Sequence, residues 1–255
     1  MQGQIAQKKI GIESIMPTIE WVVFVDDALL FTKSTMTAAF QTLESLEVGE
    51  QNKVLGIGLA INSTSRISKS TKYAKFFGKI FCLYDKRPGI VLPSGQTTGY
   101  LNSEVPTFTD WLNGVSVWKS EACRRYLDIK INSKYAACED LIFSYKQSRT
   151  GKLIFSPNAR VYFQDDDLTD FDDFQTIESA AHNRMYFVIS NKEFNKWLCL
   201  WSQLGRSLYA MRHVGPKTFR QTKLHLVLLF RLFTVCIKPD LLKKYMKSTE
   251  VQQSQ

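Results

Sequence analysis

Histidine and cysteine are scarce in this chain, and neither clusters. The three histidines, His182, His213 and His225, are scattered, so none has the spacing of a metal-ligand pair. The five cysteines, Cys82, Cys123, Cys138, Cys199 and Cys236, contain no CxxC, which removes the compact zinc and dithiol patterns. Their odd number, with no leader before the first apolar strand, points to a reducing cytoplasmic compartment. Long apolar runs are also lacking. The longest, LHLVLLFRLFTVCI from Leu224 to Ile237, contains His225 and Arg231; it is too short for a comfortable membrane span and suits a buried or surface-lying helix. There are no internal repeats, heptads or low-complexity segments, so a solenoid or coiled coil is not expected.

What remains is a chain of 255 residues, 44% hydrophobic and 13% aromatic. That is enough for one sizeable core, or for one domain with a helical appendage. The net charge is +9 and the pI about 9.2, a balance that suits nucleic acid, an anionic membrane surface or a phosphorylated substrate. The basic residues form no recognised nucleic-acid module, so no specific nucleic acid is expected as a partner.

Along the chain, QIAQKKIGIESI predicts a short helix with Ile5, Ile12 and Ile15 on one face and Ile10 off it. WVVFV, Trp21 to Val25, is wholly apolar and valine-rich, the pattern of a central parallel strand buried on both faces. Ser34 or Thr35 can cap a helix running to about Leu46. Lys53 to Ile61 reads as a second strand, with glycines that suit close approach or a bend. Ser63 to Lys75 reads as a loop and FFGKIFCLY as another strand. Asp85 to Pro106 is rich in turn formers and predicts a long irregular excursion. Gly114 to Trp118 reads as a strand and Lys119 to Leu127 as a short helix. A helix from about Cys138 carries Leu141, Ile142 and Tyr145 inward and stops at Gly151. LIF and ARVYF then give two strands. The acidic run Gln164 to Asp173 reads as a solvated connector, followed by helices near Phe174–Ser190, Lys192–Ala210 and Thr218–Cys236, and one starting at Pro239.

Two carboxylate pairs stand out. Asp26 and Asp27 follow the WVVFV strand; they fit either a solvated turn or a phosphate or metal site beyond a strand end. Glu139 and Asp140 open a helix. There they fit either favourable placement in its first turn or a general base held on a rigid element. Among the aromatics, Trp118, Trp197 and Trp201 read as packing residues. Trp111 suits packing and sugar stacking about equally.

The ordered pieces QIAQKKIGIE, WVVFVDDALLF, WLNGVSVWKSEACRRY, CEDLIFSYKQSRTGKLIFSPNARVYF and ESAAHNRMYFVIS resemble the family 2 glycosyltransferases. The resemblance spans roughly residues 2 to 205. It implies a partial GT-A-like, Rossmann-like α/β fold: a mixed, mostly parallel sheet with helices on both faces and a helical C-terminal extension. The implied organisation is a truncated catalytic domain at 1–173, a helical extension at 174–246 and a flexible tail at 247–255. The family's leading nucleotide-gripping strand–helix units have no counterpart here.

The implied activity is inverting transfer of a sugar from a nucleoside-diphosphate sugar to a saccharide or lipid-linked hydroxyl. Asp140 would be the catalytic base, with Glu139 beside it. Asp26 and Asp27 match donor-holding positions, and Lys8 and Lys9 lie in the segment that approaches the donor. Trp111, Asn113 and Gly114 match the acceptor side. The resemblance also implies a divalent cation, magnesium or manganese, which here would have to be held through Asp27 or through the Asp165–Asp167 run. Ala28 and Phe163 replace the family's metal-binding carboxylate and histidine, which weakens that implication. With the shortened start, these departures also fit a catalytically inactive binding or assembly protein of the same descent. The basic, apolar C-terminal helices suggest peripheral contact with the inner face of a membrane.

Overall fold

The computed structural model describes residues 4–26, 28–62, 72–129, 137–163, 174–213 and 218–251. In chain order its elements begin with α1 (Gln4–Glu13), β1 (Trp21–Phe24), β2 (Leu29–Phe31), α2 (Thr35–Glu44), α3 (Val48–Gln51), β3 (Val54–Asn62) and α4 (Lys72–Ile80). Then come β4 (Thr107–Thr109), β5 (Ser116–Lys119), α5 (Ser120–Arg124), a 3-10 turn (Arg125–Asp128), α6 (Glu139–Ser148) and β6 (Lys152–Phe163). Four helices close the described chain: α7 (Phe174–Ser190), α8 (Lys196–His213), α9 (Thr218–Ile237) and α10 (Leu241–Val251).

The sheet runs β1-β5-β3-β6-β2, with β4 also paired to β6. Only β3 and β6 are parallel; β1–β5, β3–β5, β2–β6 and β4–β6 are antiparallel. The expected mostly parallel, open Rossmann-like sheet is therefore wrong. The sheet is mixed but mostly antiparallel, and it curls into a half-barrel. The deciding element is β5, which inserts between β1 and β3 and runs against both. An apolar run records that a strand is covered, not which way its neighbour runs.

Strand β1 is corrected for the same reason. It ends the sheet path, pairs among the described residues with β5, and all four of its residues are partly exposed. It is not the doubly buried central strand that its composition suggested. That place belongs to β3, where Val54, Ile57 and Leu59 are fully buried. Gly56 and Gly58 are needed there. A β-carbon on Gly56 would lie 2.7 Å from the Trp118 ring, and one on Gly58 2.8 Å from Leu112.

Two further expectations change. FFGKIFCLY is not a strand; its first half belongs to α4. Tyr73, Phe77 and Phe81 recur every four residues, a helical period. Phe81 stacks on Trp201 of α8 at 4.9 Å, and Phe77 meets Tyr209 at 6.5 Å. LIF and ARVYF are not two strands but the ends of one, β6. Its register against β3 jumps from Leu59–Ser156 to Ala60–Arg160, so the intervening residues, Pro157 among them, bulge without breaking the strand. Helix α1 forms as expected, with Ile5 and Ile12 buried and Ile10 exposed. Residues 85–106 are the expected irregular excursion, with one isolated bridge, Val91–Thr97.

Three apolar clusters hold these layers. One lies between the sheet and α1, α5 and α6, around Trp118, Tyr126, Phe143 and Phe155. The opposite face packs Ile57, Leu59, Val117 and Val161 under α2. The third joins α6 to α7–α10 through Leu141, Met185, Leu228 and Leu232. Helix α6 thus has one face on the sheet and another on the helical layer, which fixes its first turn in space.

Candidate active site

The first turn of α6 carries Glu139 and Asp140 side by side. Adjacent positions on a helix diverge by about 100°, and the two side chains meet different surroundings. Glu139 is buried, its side chain only 3% exposed, whereas 37% of the Asp140 side chain reaches solvent. Glu139 accepts hydrogen bonds from Lys8 Nζ and the Tyr126 hydroxyl. Lys8 also approaches Asp140 Oδ1 at 3.4 Å. Its ammonium lies over the rings of Phe24 and Tyr126, 5.2 and 5.8 Å from their centroids, a favourable cation–π placement. Glu139 is thus the anchored member of the pair, and Asp140 the reachable one.

The electrostatics follow from this crowding. Although part of its side chain reaches solvent, the packed groups around the Asp140 carboxyl raise its pKa above the usual carboxylate range, Glu139's negative charge raises it further, and Lys8 pulls it partly back. Burial works against the Lys8 charge, but Asp140 and Glu139 more than offset it and hold its pKa above the usual lysine value. Tyr126 stays a phenol, its pKa raised by burial and then by Glu139.

Asp140 faces the segment before β5. A β-carbon on Gly114 would stand 3.1 Å from its Oδ2, so the absent side chain leaves the carboxylate room. Asn113 lines the same small enclosure with Lys8, Asp140 and Tyr126. Its backbone N–H donates to the Tyr100 hydroxyl at 2.6 Å, while both polar atoms of its side-chain amide are buried without a hydrogen-bond partner among the described residues. Such an unpaired buried group costs about 1–3 kcal/mol.

A second, larger cleft of about 640 Å³ adjoins this enclosure. Lys8 and Phe24 line both. Asp26, exposed just beyond β1, lies on the wall of the larger one. Lys8 and Phe24 thus link the packed cluster of Asn113, Tyr126 and Asp140 to the cleft that Asp26 lines.

Family models, curated proteins and solved structures give no match to this chain.

The remaining residues singled out from the sequence have their own surroundings. Lys9 donates to the carbonyls of Leu127 and Ile129, both at 2.8 Å, and so ties α1 to the end of the 3-10 turn. Trp111 is partly buried against Tyr100 and donates from Nε1 to the Thr98 carbonyl at 3.1 Å. Asp27 and the acidic run 164–173 lie outside the described residues. Among the described residues no group of three or more His, Cys, Asp or Glu side chains is placed to hold a metal ion. Asp26 is the one carboxylate among the described residues that lines the larger cleft, and the α6 pair is already engaged by Lys8. Sequence reasoning missed Tyr126 and Phe24 as parts of the site. Neither carries a local signal, because one follows two arginines on a basic helix and the other looks like any strand residue.

Proposed function

We propose that this chain transfers a glycosyl group from a nucleoside-diphosphate sugar to a hydroxyl of a saccharide or lipid-linked acceptor, with inversion at the anomeric carbon. Asp140 is the general base in this reading. It takes the acceptor hydroxyl proton as that oxygen forms its bond to the anomeric carbon, and the bond to the diphosphate breaks with its electron pair leaving on the phosphate oxygen. Lys8 places positive charge between the base and the larger cleft, where it offsets some of the leaving group's charge. Asn113 and Gly114 orient the acceptor, and Asp26 helps hold the donor.

One observation carries the reading: a reachable carboxylate of raised pKa faces a glycine gap and an unpaired buried amide, beside a cleft that contains the strand-end Asp26. General bases work best when their pKa lies near the operating pH, and their loss commonly costs about 10²–10⁴ in rate. The resemblance of the ordered sequence pieces to family 2 glycosyltransferases supports the same chemistry.

The test compares initial rates and donor titrations for the unaltered chain, Asp140→Asn and Asp26→Asn across a panel of nucleotide sugars. Asp140→Asn should remove most turnover and keep donor binding, while Asp26→Asn should act mainly on donor affinity. Near-normal turnover by Asp140→Asn removes Asp140 as the base. A second reading, binding without turnover, is favoured by Ala28 at the third position of the acidic motif. Donor binding with no transfer by the unaltered chain would select it.

A further inference from the structure

Twelve of the large hydrophobic residues left exposed by this fold lie on just three helices, α4, α8 and α9. On α9 they form a single stripe: Leu226, Val227, Phe230, Phe233 and Ile237, with Phe230 67% exposed. The opposite face of the same helix carries Leu228, Leu232, Val235 and Cys236, all buried in the helical core. The helix is therefore apolar on both sides, yet among the described residues only one side is covered. Trp197, Trp201 and Leu208 form a similar exposed stripe on α8, at offsets of four and seven. On α4, Phe76 and Ile80 are exposed four residues apart.

These stripes join. Trp197 meets Phe233 at 6.0 Å, linking α8 to α9. Trp201 donates from Nε1 to the Ile80 carbonyl at 2.7 Å and stacks on Phe81, linking α8 to α4. Continuous apolar surface rimmed by charge marks an interaction site. The charge is of one sign. In sequence the three helices carry nine lysines and arginines and no aspartate or glutamate, as many as the +9 net charge of the whole chain. Lys72, Lys75 and Lys79 on α4 and Lys223 on α9 are exposed at this surface.

We infer that α4, α8 and α9 form a surface that docks flat onto an anionic lipid bilayer. The apolar stripe enters the headgroup–acyl boundary, the two tryptophans sit at the interface, and the lysines meet anionic headgroups. The helices lie on the bilayer rather than cross it: no helix among the described residues is long and apolar enough to span a membrane, and α9 already commits one face to the protein core. A bilayer fits better than a second copy of the chain, because pairing two carboxylate-free faces would oppose like charges. The inference is independent of sugar transfer and stands or falls separately.

The test is flotation of the full chain with phosphatidylglycerol-containing vesicles and with pure phosphatidylcholine vesicles, at low and at high salt, alongside Phe230→Ser/Phe233→Ser and Lys72→Gln/Lys75→Gln/Lys79→Gln. The chain should float with the anionic vesicles at low salt. Binding should fall roughly tenfold or more in each variant. High salt should weaken the unaltered chain but change the lysine variant less. Tryptophan emission should shift to the blue on adding anionic vesicles, and Trp197→Phe/Trp201→Phe should abolish the shift. Circular dichroism checks that each variant is folded. Failure to float at low salt overturns the inference, as does equal flotation by a folded Phe230→Ser/Phe233→Ser chain. A stable dimer that this variant dissociates also overturns it, by assigning the face to self-association.

Discussion

A β-carbon on Gly114 would stand 3.1 Å from Oδ2 of Asp140, although the two residues belong to different elements. At that distance the carboxylate would have to move by a few tenths of an ångström. Gly114→Ala should therefore lower turnover by roughly tenfold, since misplacement of a reacting group by about 1 Å costs about 10²-fold. The melting temperature should stay within a few degrees, because the displaced group is the end of a partly exposed side chain. Steady-state kinetics with calorimetry check this. A collapse in stability would assign Gly114 a role in the fold instead.

Lys8→Met should destabilise the protein by about 3 kcal/mol, the range expected when one partner of a buried ion pair is removed. The cost arises because Glu139, 3% exposed, would be left buried without its ion-pair partner. Adding Glu139→Gln should recover much of the loss. Denaturant titration of the two single variants and the double variant measures that coupling. Additive losses would mean that the pair contributes nothing as a pair.

The raised pKa of Asp140 fixes the sign of two pH effects. Between the ordinary carboxylate pKa and the raised folded value, the folded chain holds a proton that the unfolded chain has released. Stability at this site therefore falls as pH rises through that window. Asp140→Asn removes the ionisation, so its melting temperature should draw level with or pass that of the unaltered chain as pH rises. Turnover should show the opposite trend, rising with pH because the base must be deprotonated. Its rising limb should lie above the pH range of an ordinary carboxylate. Thermal melts and kcat/KM profiles over the same buffers test both.

Gly56→Ala should cost about 1–3 kcal/mol, the usual penalty for overpacking. The added carbon would stand 2.7 Å from two carbons of the Trp118 ring and 3.1 Å from Leu112, and that ring is 1% exposed. Denaturant midpoints provide the measurement. A neutral result would show that Trp118 can retreat.

The sequence by itself determined what depends on neighbours along the chain. The spacing of Ile5 and Ile12 on α1, the first turn of α6 with Glu139 and Asp140, and the helical periods of α7, α8 and α9 are local patterns, set by side-chain repeat and propensity. Glycines at Gly56 and Gly58 signalled either close approach or a bend, and the packing of Trp118 and Leu112 against them decided for close approach. The tertiary structure alone decided strand direction and partnership. Trp21 to Phe24 reads as strand in any setting, but whether it is central or terminal depends on where β5 inserts, and no short-range pattern encodes that. The same limit applies to the site. Glu139 and Asp140 look equivalent in sequence until Lys8, 131 residues earlier than Glu139, and Tyr126 enclose one and leave the other open. Burial and long-range charge, which separate an anchored carboxylate from a reachable base, exist only once α1, β5 and α6 have packed together.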